Sequence, residues 1–145
     1  MICTKASNDG WKYLLEDPCS MYVQSKVDPR RRQGDGWGIG FYVDDVSTVI
    51  KSEKPVYTER QKFASAVQVA SSRIVLAHIR RASNPRGLPR ERLISIENSQ
   101  PFSYDKYVFV HNGTIRIPDE VAECLGQWKN MLKGLNDSEV YFWYI

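Results

Sequence analysis

The sequence predicts an α+β fold built from antiparallel strands and separate helices. Two observations lead to this prediction. Residues with high strand propensity recur in short runs broken by turn residues, at 38–43, 48–56, 73–80 and 106–111. Over residues 59–70, in contrast, apolar residues recur at the spacing of one helix face. At 145 residues, the chain has the length of one domain or of part of one.

The first half of the chain contains a predicted strand pair. The glycine-rich stretch 34–40 leads into the strand at 38–43, and Asp44-Asp45 forms the turn to an antiparallel neighbour at 48–56. Glycines at alternate strand positions indicate that another backbone approaches this strand closely. Their spacing does not fit a strand-to-helix nucleotide turn, so we expect no nucleotide binding there.

The second half contains two more predicted strands and two predicted helices. The strand at 73–80 runs into a loop rich in Pro, Gly and Arg. After the strand at 106–111, Pro118 is suited to the first turn of a helix that we expect to reach about Lys133. Asn136 or Asp137 then caps a last, apolar helix.

Composition argues against several classes of protein. No apolar run approaches the ~20 residues of a membrane-spanning helix, and the start lacks the apolar core of a signal peptide, so we expect a cytoplasmic protein. Three scattered cysteines do not form a disulfide framework, and Cys19 is expected to be a small buried side chain. The basic stretches 29–32 and 80–92 contain no aromatic residue, so we expect no nucleic-acid binding.

Several polar motifs interrupt the apolar elements, and each has a structural interpretation besides a functional one. Arg80 ends a strand, where a guanidinium either binds a carboxylate through two hydrogen bonds or lies in solvent. Asn112-Gly113 either forms a hairpin turn or supplies N–H donors to a developing negative charge. Asp137 either belongs to a helix cap or presents an anion.

The order of the motifs is more informative than any one of them. "GDGWGIGFY", "AHIR", "NSQPF", "HNG" and "DSE" follow one another as in class II glutamine amidotransferase domains of the N-terminal-nucleophile hydrolase type, which the chain resembles over residues 14–145. The segment "LLEDPCSMYVQS" is similar to the branch with the ergothioneine-pathway amidohydrolases and the glutathione-degrading amidotransferase-like proteins. The resemblance implies a four-layer αββα sandwich, with residues 1–145 as the N-terminal portion of a C-terminally truncated domain.

The resemblance also implies an activity. The family hydrolyses a γ-glutamyl amide, of glutamine or of a glutamyl conjugate, through an N-terminal cysteine, and Cys3 is the candidate here. Its thiolate would attack the amide carbonyl and its α-amine would act as general base. The side chain of Asn112 and the backbone N–H of Gly113 match the oxyanion hole. No metal ion or organic cofactor is implied.

Four further residues have roles implied by the same resemblance. Arg80 matches the residue that binds the α-carboxylate of the substrate, and Asp137 matches the residue that holds its α-ammonium group. Trp37 is expected beneath the pocket, and Ser83 is expected to contact the substrate. The small-molecule substrate is thus a γ-glutamyl compound whose leaving group the sequence does not identify.

The chain departs from the family pattern at its start. Family members begin Met-Cys, whereas this chain begins Met-Ile-Cys, and Ile2 disfavours removal of the methionine. If both residues stay, Cys3 has no free α-amine, and the stretch 4–10 also matches a strand poorly. The alternatives are a non-catalytic remnant that binds a glutamyl ligand, and a subunit that docks to a partner protein through its apolar end, residues 137–145.

Overall fold

The computed structural model describes residues 1–8 and 10–145, with the backbone alone at 5, 7 and 31. The strands in this part of the chain are β1 Ile2–Asn8, β2 Trp37–Val43, β3 Val46–Ser52, β4 Ser72–Ile79, β5 Phe102–Tyr104 and β6 Tyr107–Phe109. The α-helices are α1 Met21–Val27, α2 Arg60–Val69, α3 Pro118–Glu123 and α4 Asp137–Tyr144. These elements form an α+β fold with antiparallel sheets, as predicted.

Short turns of 3₁₀ or π type complete the secondary structure. The π turn is Lys12–Glu16, and the 3₁₀ turns are Pro29–Arg31, Val56–Thr58, Arg90–Arg92 and Gly126–Met131.

The larger sheet has four strands in the order β1-β4-β2-β3, and every neighbouring pair is antiparallel. The hairpin between β2 and β3 was predicted correctly. Its two turn residues, Asp44 and Asp45, have φ values of +48° and +65°. Aspartate tolerates this left-handed region, and a turn with two such residues matches the twist of the paired strands.

One face of this sheet packs against α2. Trp37, Ile39 and Phe41 alternate along β2 and are almost fully buried, and they join Phe63 and Val67 of α2 in the main hydrophobic core. The rings of Trp37 and Phe63 meet edge to face, with centroids 5.1 Å apart. The helical spacing predicted over residues 59–70 is therefore confirmed as the face that covers the sheet.

The opposite face of β2 carries glycines, and the chain crosses directly over them. A Cβ atom added to Gly38 would overlap the carbonyl oxygen of Gln100, and one added to Gly40 would come within 2.5 Å of Val108. The close backbone approach predicted from the alternating glycines is confirmed. It brings the segment around Gln100 and the small β5–β6 sheet onto the larger sheet.

Helix α4 packs on the far side of β5 and β6. Phe142 stacks on Phe102 and on Phe109, at centroid distances of 6.3 and 5.6 Å. Val140 joins Ala122 of α3 in a second, smaller apolar cluster. Two strands thus lie between the larger sheet and the last helix.

Three sequence predictions were wrong in detail. The helix expected from Pro118 to about Lys133 ends at Glu123, and the left-handed conformation of Gly126 (φ +56°) separates it from a 3₁₀ turn. Cys19 is exposed rather than buried. It lies just before the N-cap of α1, where Asp17 accepts its backbone N–H at 2.8 Å and keeps the turn at the surface.

The third error concerns the start of the chain. The stretch after Cys3, expected to be a poor strand, belongs to β1. Its backbone pairs with β4, at Ile2↔Val75, Cys3↔Ile74 and Asn8↔Ser72, with an irregularity between Cys3 and Asn8. Pairing with a formed sheet overrides weak intrinsic strand propensity.

Candidate active site

A cavity of about 350 Å³ lies at the carboxyl end of β4. Four of the predicted site residues line it: Arg80, Ser83, Asn112 and Gly113. They come from two distant stretches of sequence, the strand end with its following loop and the segment after β6. The layering of β6 over the glycines of β2 brings these two stretches together.

Arg80 is only 3% exposed. Its Nη1 donates to the carbonyl oxygens of Leu93, at 2.7 Å, and Asp35, at 3.2 Å. Burial lowers the pKa of Arg80, and the nearby carboxylates of Asp35 and Asp137 oppose this effect. An arginine side chain nevertheless stays protonated in proteins, so the wall of the cavity carries a positive charge.

Ser83 and Asp137 form a hydrogen-bonded pair, in which only Asp137 is fully buried. Asp137 is 2% exposed, and it accepts the Ser83 hydroxyl at 2.7 Å through Oδ1 and the backbone N–H of Ile115 at 2.7 Å through Oδ2. Because the serine hydroxyl donates its proton to the carboxylate, its lone pairs are free to accept a donor from the cavity. Asp137 itself lies one layer behind the cavity surface.

The start of α4 is held by several hydrogen bonds, which fix the position of Asp137. Asn136 caps the helix by accepting the N–H of Ser138 at 2.9 Å, and its Nδ2 donates to the carbonyl of Asn98 at 2.6 Å. Glu139 accepts two further backbone N–H groups, at 2.9 and 2.8 Å, and burial raises its pKa. The helix cap expected from the sequence and the buried anion are thus both present.

Asn112 and Gly113 do not form a hairpin turn. In the part of the chain that the structure describes, no strand follows β6, and both residues are exposed at the cavity. The backbone just before them is fixed, since Gln100 accepts the N–H of His111 at 2.6 Å and donates to its carbonyl at 3.1 Å. A Cβ atom on Gly113 would lie 2.6 Å from the imidazole of His111, which explains the glycine.

Both histidines of the chain line the cavity. His111 Nδ1 lies 3.0 Å from the hydroxyl of Ser138. His78 lines the cavity as well, and its Nδ1 is buried without a hydrogen-bond partner among the described residues. Burial, with Arg80 and His111 nearby, lowers the pKa of His78 to about 4, so this imidazole is neutral at physiological pH.

Two further predicted site residues, Trp37 and Cys3, do not line the cavity. Trp37 is completely buried in the main core, where its indole N–H donates to Glu59 at 3.1 Å. Cys3 is exposed on β1 opposite Ile74, beside a different cavity. Ile74 precedes His78 by four residues on β4, so at ~3.3 Å per residue these two positions lie roughly 13 Å apart along the strand.

Three residues that contribute to the site were not singled out from the sequence. Gln100 holds the backbone of His111, Asp35 contacts Arg80 through its carbonyl, and His78 lines the cavity. A buried role for Asp35 is indicated by its place between two glycines, and one for Gln100 by the crossing over β2. Neither signal identifies a partner, because each partner is more than ten residues away along the chain.

The basic loop after β4 is engaged internally. Arg86 forms an ion pair with Asp119 at 2.6 Å and donates to the carbonyl of Leu135 at 2.8 Å, while Arg90 pairs with Asp35.

Within the described ranges, no group of acidic, histidine or cysteine residues is arranged to hold a metal ion. Over the same ranges, no helix is long and apolar enough to cross a membrane.

Residues 19–145 match the family model of the class II glutamine amidotransferases, so the chain belongs to this family. The assignment made from the order of the motifs is confirmed. The match includes every element that lines the cavity, from β4 to the start of α4.

Among curated proteins, the chain is 36% identical over 107 residues to gamma-glutamyl-hercynylcysteine sulfoxide hydrolase of Mycolicibacterium smegmatis, across 70% of this chain and 44% of that protein. It is 25% identical over 148 residues to the probable glutamine amidotransferase DUG3 of Saccharomyces cerevisiae, across 90% of this chain and 39% of that protein. Both relatives agree with the predicted branch. The chain therefore spans less than half the length of each of these two relatives.

Proposed function

We propose that the cavity binds the amino-acid end of a γ-glutamyl amide, and that the chain hydrolyses this amide through Cys3. The observation that carries the proposal is the convergence of Arg80, Ser83, Asn112 and Gly113 on one cavity of about 350 Å³. The cation matches the α-carboxylate of a glutamyl compound, and the hydroxyl acceptor backed by a carboxylate matches its α-ammonium group. The two N–H donors match the oxygen of its γ-carbonyl group. Membership of the class II glutamine amidotransferases supports the same substrate class.

In this proposal the substrate head is bound as a zwitterion. Its α-carboxylate meets the guanidinium of Arg80, whose Nη1 is already occupied by two carbonyl groups. Its α-ammonium donates to the Ser83 hydroxyl oxygen, with the negative charge of Asp137 directly behind. Each charged group of the ligand thus faces a group of opposite charge in or behind the cavity wall. Trp37 supports the wall only from the core beneath it.

Hydrolysis then needs a nucleophile at the γ-carbonyl. The Cys3 thiolate adds to the carbonyl carbon, and the resulting oxyanion accepts hydrogen bonds from the Asn112 amide and the Gly113 N–H. Collapse of this intermediate forms a thioester and releases the amine, which takes the proton held by the α-amine of the cysteine. Water then hydrolyses the thioester to glutamate. This sequence requires Cys3 to be the first residue and to move towards the cavity.

The proposed architecture is the N-terminal portion of a four-layer αββα domain over residues 1–145. The packing supports it: α2 covers one face of the larger sheet, β5–β6 cover the other, and α4 covers β5–β6. A second apolar hollow, of about 680 Å³, lies between β6 and the end of α4. We propose that a protein partner or a further part of the domain covers it.

One observation favours a second candidate, in which the chain binds the γ-glutamyl compound without hydrolysing it. Cys3 pairs with Ile74 and lies outside the site cavity, while Arg80 and Ser83 line it. Recognition and chemistry therefore rest on different parts of the fold. A binding-only protein needs the cavity alone.

The two candidates are separated by measuring binding and turnover on protein whose N-terminus is verified by intact mass. Binding of L-glutamine is followed by calorimetry, and turnover by release of ammonia from L-glutamine and of p-nitroaniline from γ-L-glutamyl-p-nitroanilide. Hydrolysis predicts that Cys3→Ala abolishes turnover and keeps binding, whereas Cys19→Ala, at another exposed cysteine, changes neither. Binding without turnover in a chain starting at Cys3 supports the second candidate. No binding in any form contradicts both.

The covering of the apolar hollow needs a different test. Removing residues 137–145 would also remove the buried Asp137, so substitutions at the exposed Tyr144 and Ile145 are preferable. We expect Tyr144→Ser with Ile145→Ser to lower recovery of a protein partner in a pull-down. Unchanged recovery would contradict the docking proposal and leave the proposal for the cavity unaffected.

A further inference from the structure

The guanidinium of Arg80 is held from behind by two backbone carbonyls. Its Nη1 donates to Asp35 and to Leu93, at 3.2 and 2.7 Å. Among the residues that the structure describes, Nε and Nη2 have no protein partner, although Arg80 lines the cavity. The direction in which these two donors point is therefore set by where the two carbonyls lie.

The first carbonyl belongs to Asp35, whose backbone is interleaved with that of Arg80. The N–H of Asp35 donates to the carbonyl of Arg80 at 3.0 Å, and the N–H of Arg80 donates to the carbonyl of Gly36 at 2.8 Å. Gly36 has φ +116°, and a Cβ atom there would overlap the Ser99 hydroxyl. These two hydrogen bonds hold the backbone around Asp35, and with it the position of its carbonyl.

The second carbonyl is fixed by the side chain of Asp35. This carboxylate is nearly fully buried, accepts the N–H of Ala82 at 2.8 Å, and forms an ion pair with Arg90. Arg90 begins the 3₁₀ turn Arg90–Arg92, and Leu93 is the next residue after that turn. One carboxylate therefore ties both ends of the loop between Arg80 and Leu93 to the same turn.

The burial of the Asp35 carboxylate needs a physical explanation. Taking an ionised group out of water costs several kcal/mol unless hydrogen bonds and an opposite charge compensate it. Asp35 is compensated by an N–H group and a guanidinium that both belong to the loop after β4. Its negative charge also favours the protonated form of Arg80.

We propose that Asp35 is the positioning residue for Arg80: its carbonyl and its carboxylate together place both acceptors of Nη1, which orients Nε and Nη2 to receive the α-carboxylate of the ligand. This inference rests on the proposed function for the ligand, but its structural core concerns only Asp35, Arg80 and the loop. A ligand without an α-carboxylate makes no use of this arrangement.

The binding test compares L-glutamine with 4-aminobutanamide, which is glutamine without its α-carboxylate. Asp35→Asn should weaken binding of L-glutamine about tenfold, the cost of one impaired charged hydrogen bond, and leave binding of the analogue nearly unchanged. The matched control is Asp44→Asn in the exposed β2–β3 turn, which should affect neither ligand. In an Arg80→Ala background, Asp35→Asn should have no further effect on L-glutamine.

A purely structural role predicts equal loss for both ligands, and that result overturns the inference. If Asp35→Asn does not fold, Arg90→Gln removes the ion pair and keeps the buried carboxylate. The same selective loss is then expected, with a smaller magnitude.

A second readout does not depend on glutamine binding. In ¹H–¹⁵N spectra, the Nε–H resonance of Arg80, assigned by its absence in Arg80→Ala, should shift or broaden in Asp35→Asn and stay unchanged in Asp44→Asn. An unchanged resonance in folded Asp35→Asn protein overturns the inference even if glutamine binds. Failure of the wild-type protein to bind glutamine, together with the expected spectral change, contradicts the proposed function and leaves the positioning role supported.

Discussion

The residues around the two ends of β4 differ in burial and in the number of hydrogen bonds that they make. At the carboxyl end, Arg80, Gln100 and Asp137 are buried, and each makes at least two hydrogen bonds to a distant part of the chain. At the amino end, β4 pairs with β1 in an irregular register, and Cys3 of β1 is exposed. The residues around the cavity are thus held in place without a ligand, whereas the sulfur of Cys3 lies outside the cavity.

Under the proposed function, this difference would place ligand recognition and nucleophilic attack on separate parts of the fold. Residues 76–79 of β4 pair with β2 on one side, and in the described chain β1 does not reach them on the other. An unpaired strand edge is a place where another strand can pair. Movement of β1 along this edge by an even number of residues would bring Cys3 to the cavity with its side chain on the same face.

The largest expected effects come from the cavity end. Under the proposed function, Asn112→Ala should lower kcat by ~10²–10³, because it removes one of the two proposed oxyanion donors, with little change in KM. Arg80→Ala should instead raise KM strongly, since it removes a charge-assisted contact with the ground state. Arg30→Ala, at an exposed arginine that does not line the cavity, should change neither. Steady-state kinetics would contradict this division if both substitutions affected KM alone.

The next effect concerns pH and His78, which lies at the cavity end of β4. Burial lowers its pKa to about 4 from 6.5, so between these values the unfolded chain binds a proton that the native state does not. Stability should therefore rise with pH across that window, by at most about 3 kcal/mol. Urea unfolding of His78→Gln should show a shallower rise between pH 4 and 6.5. An equally steep rise in both proteins would show that this imidazole titrates normally.

A smaller effect is expected at Gln100. Its side chain makes both hydrogen bonds that hold the backbone of His111, so Gln100→Ala leaves a buried N–H and a carbonyl without partners. We expect a loss of about 1–3 kcal/mol in the free energy of unfolding. Gln24→Ala on the exposed surface of α1 is the matched control and should cost far less. Equal stabilities by chemical denaturation would refute the role assigned to Gln100.

The smallest signal is expected from movement of β1 itself. With Cys19 and Cys124 replaced by serine, Ile74→Cys should form a disulfide with Cys3 in the pairing described here. If β1 slides along β4, a minor fraction of Cys3 also reaches position 78, so His78→Cys should give a weaker cross-link, detected by peptide mass mapping. Absence of the second cross-link, alongside turnover that depends on Cys3, would rule out sliding along β4.

Much of the fold was predictable because local chemistry and tertiary packing agree. The β2–β3 hairpin, α2 and β4 follow from strand runs, turn residues and helical spacing, and the glycines of β2 correctly indicated a close crossing. The helix after Pro118 was predicted too long, because Gly126 was treated as a helical residue and adopts φ +56°. Strand β1 was underestimated, because its pairing with β4 is a non-local effect.

The site was predictable only in part, for a related reason. The order of the motifs placed Arg80, Ser83, Asn112 and Gly113 in one site, and the structure brings these four to one cavity. Sequence order does not report burial, so Asp137, which lies behind the cavity surface, was expected closer to the ligand. It also does not report strand register, which decides where Cys3 lies.

The stacked indoles of Trp128 and Trp143 have a practical consequence. Their rings lie 5.9 Å apart and within 15° of parallel, one on the 3₁₀ turn and the other near the end of α4. Two such chromophores at this separation couple their electronic transitions, with a strength set by the relative orientation of the rings. The protein therefore contains its own optical reporter of what happens at the apolar hollow, readable without any added label.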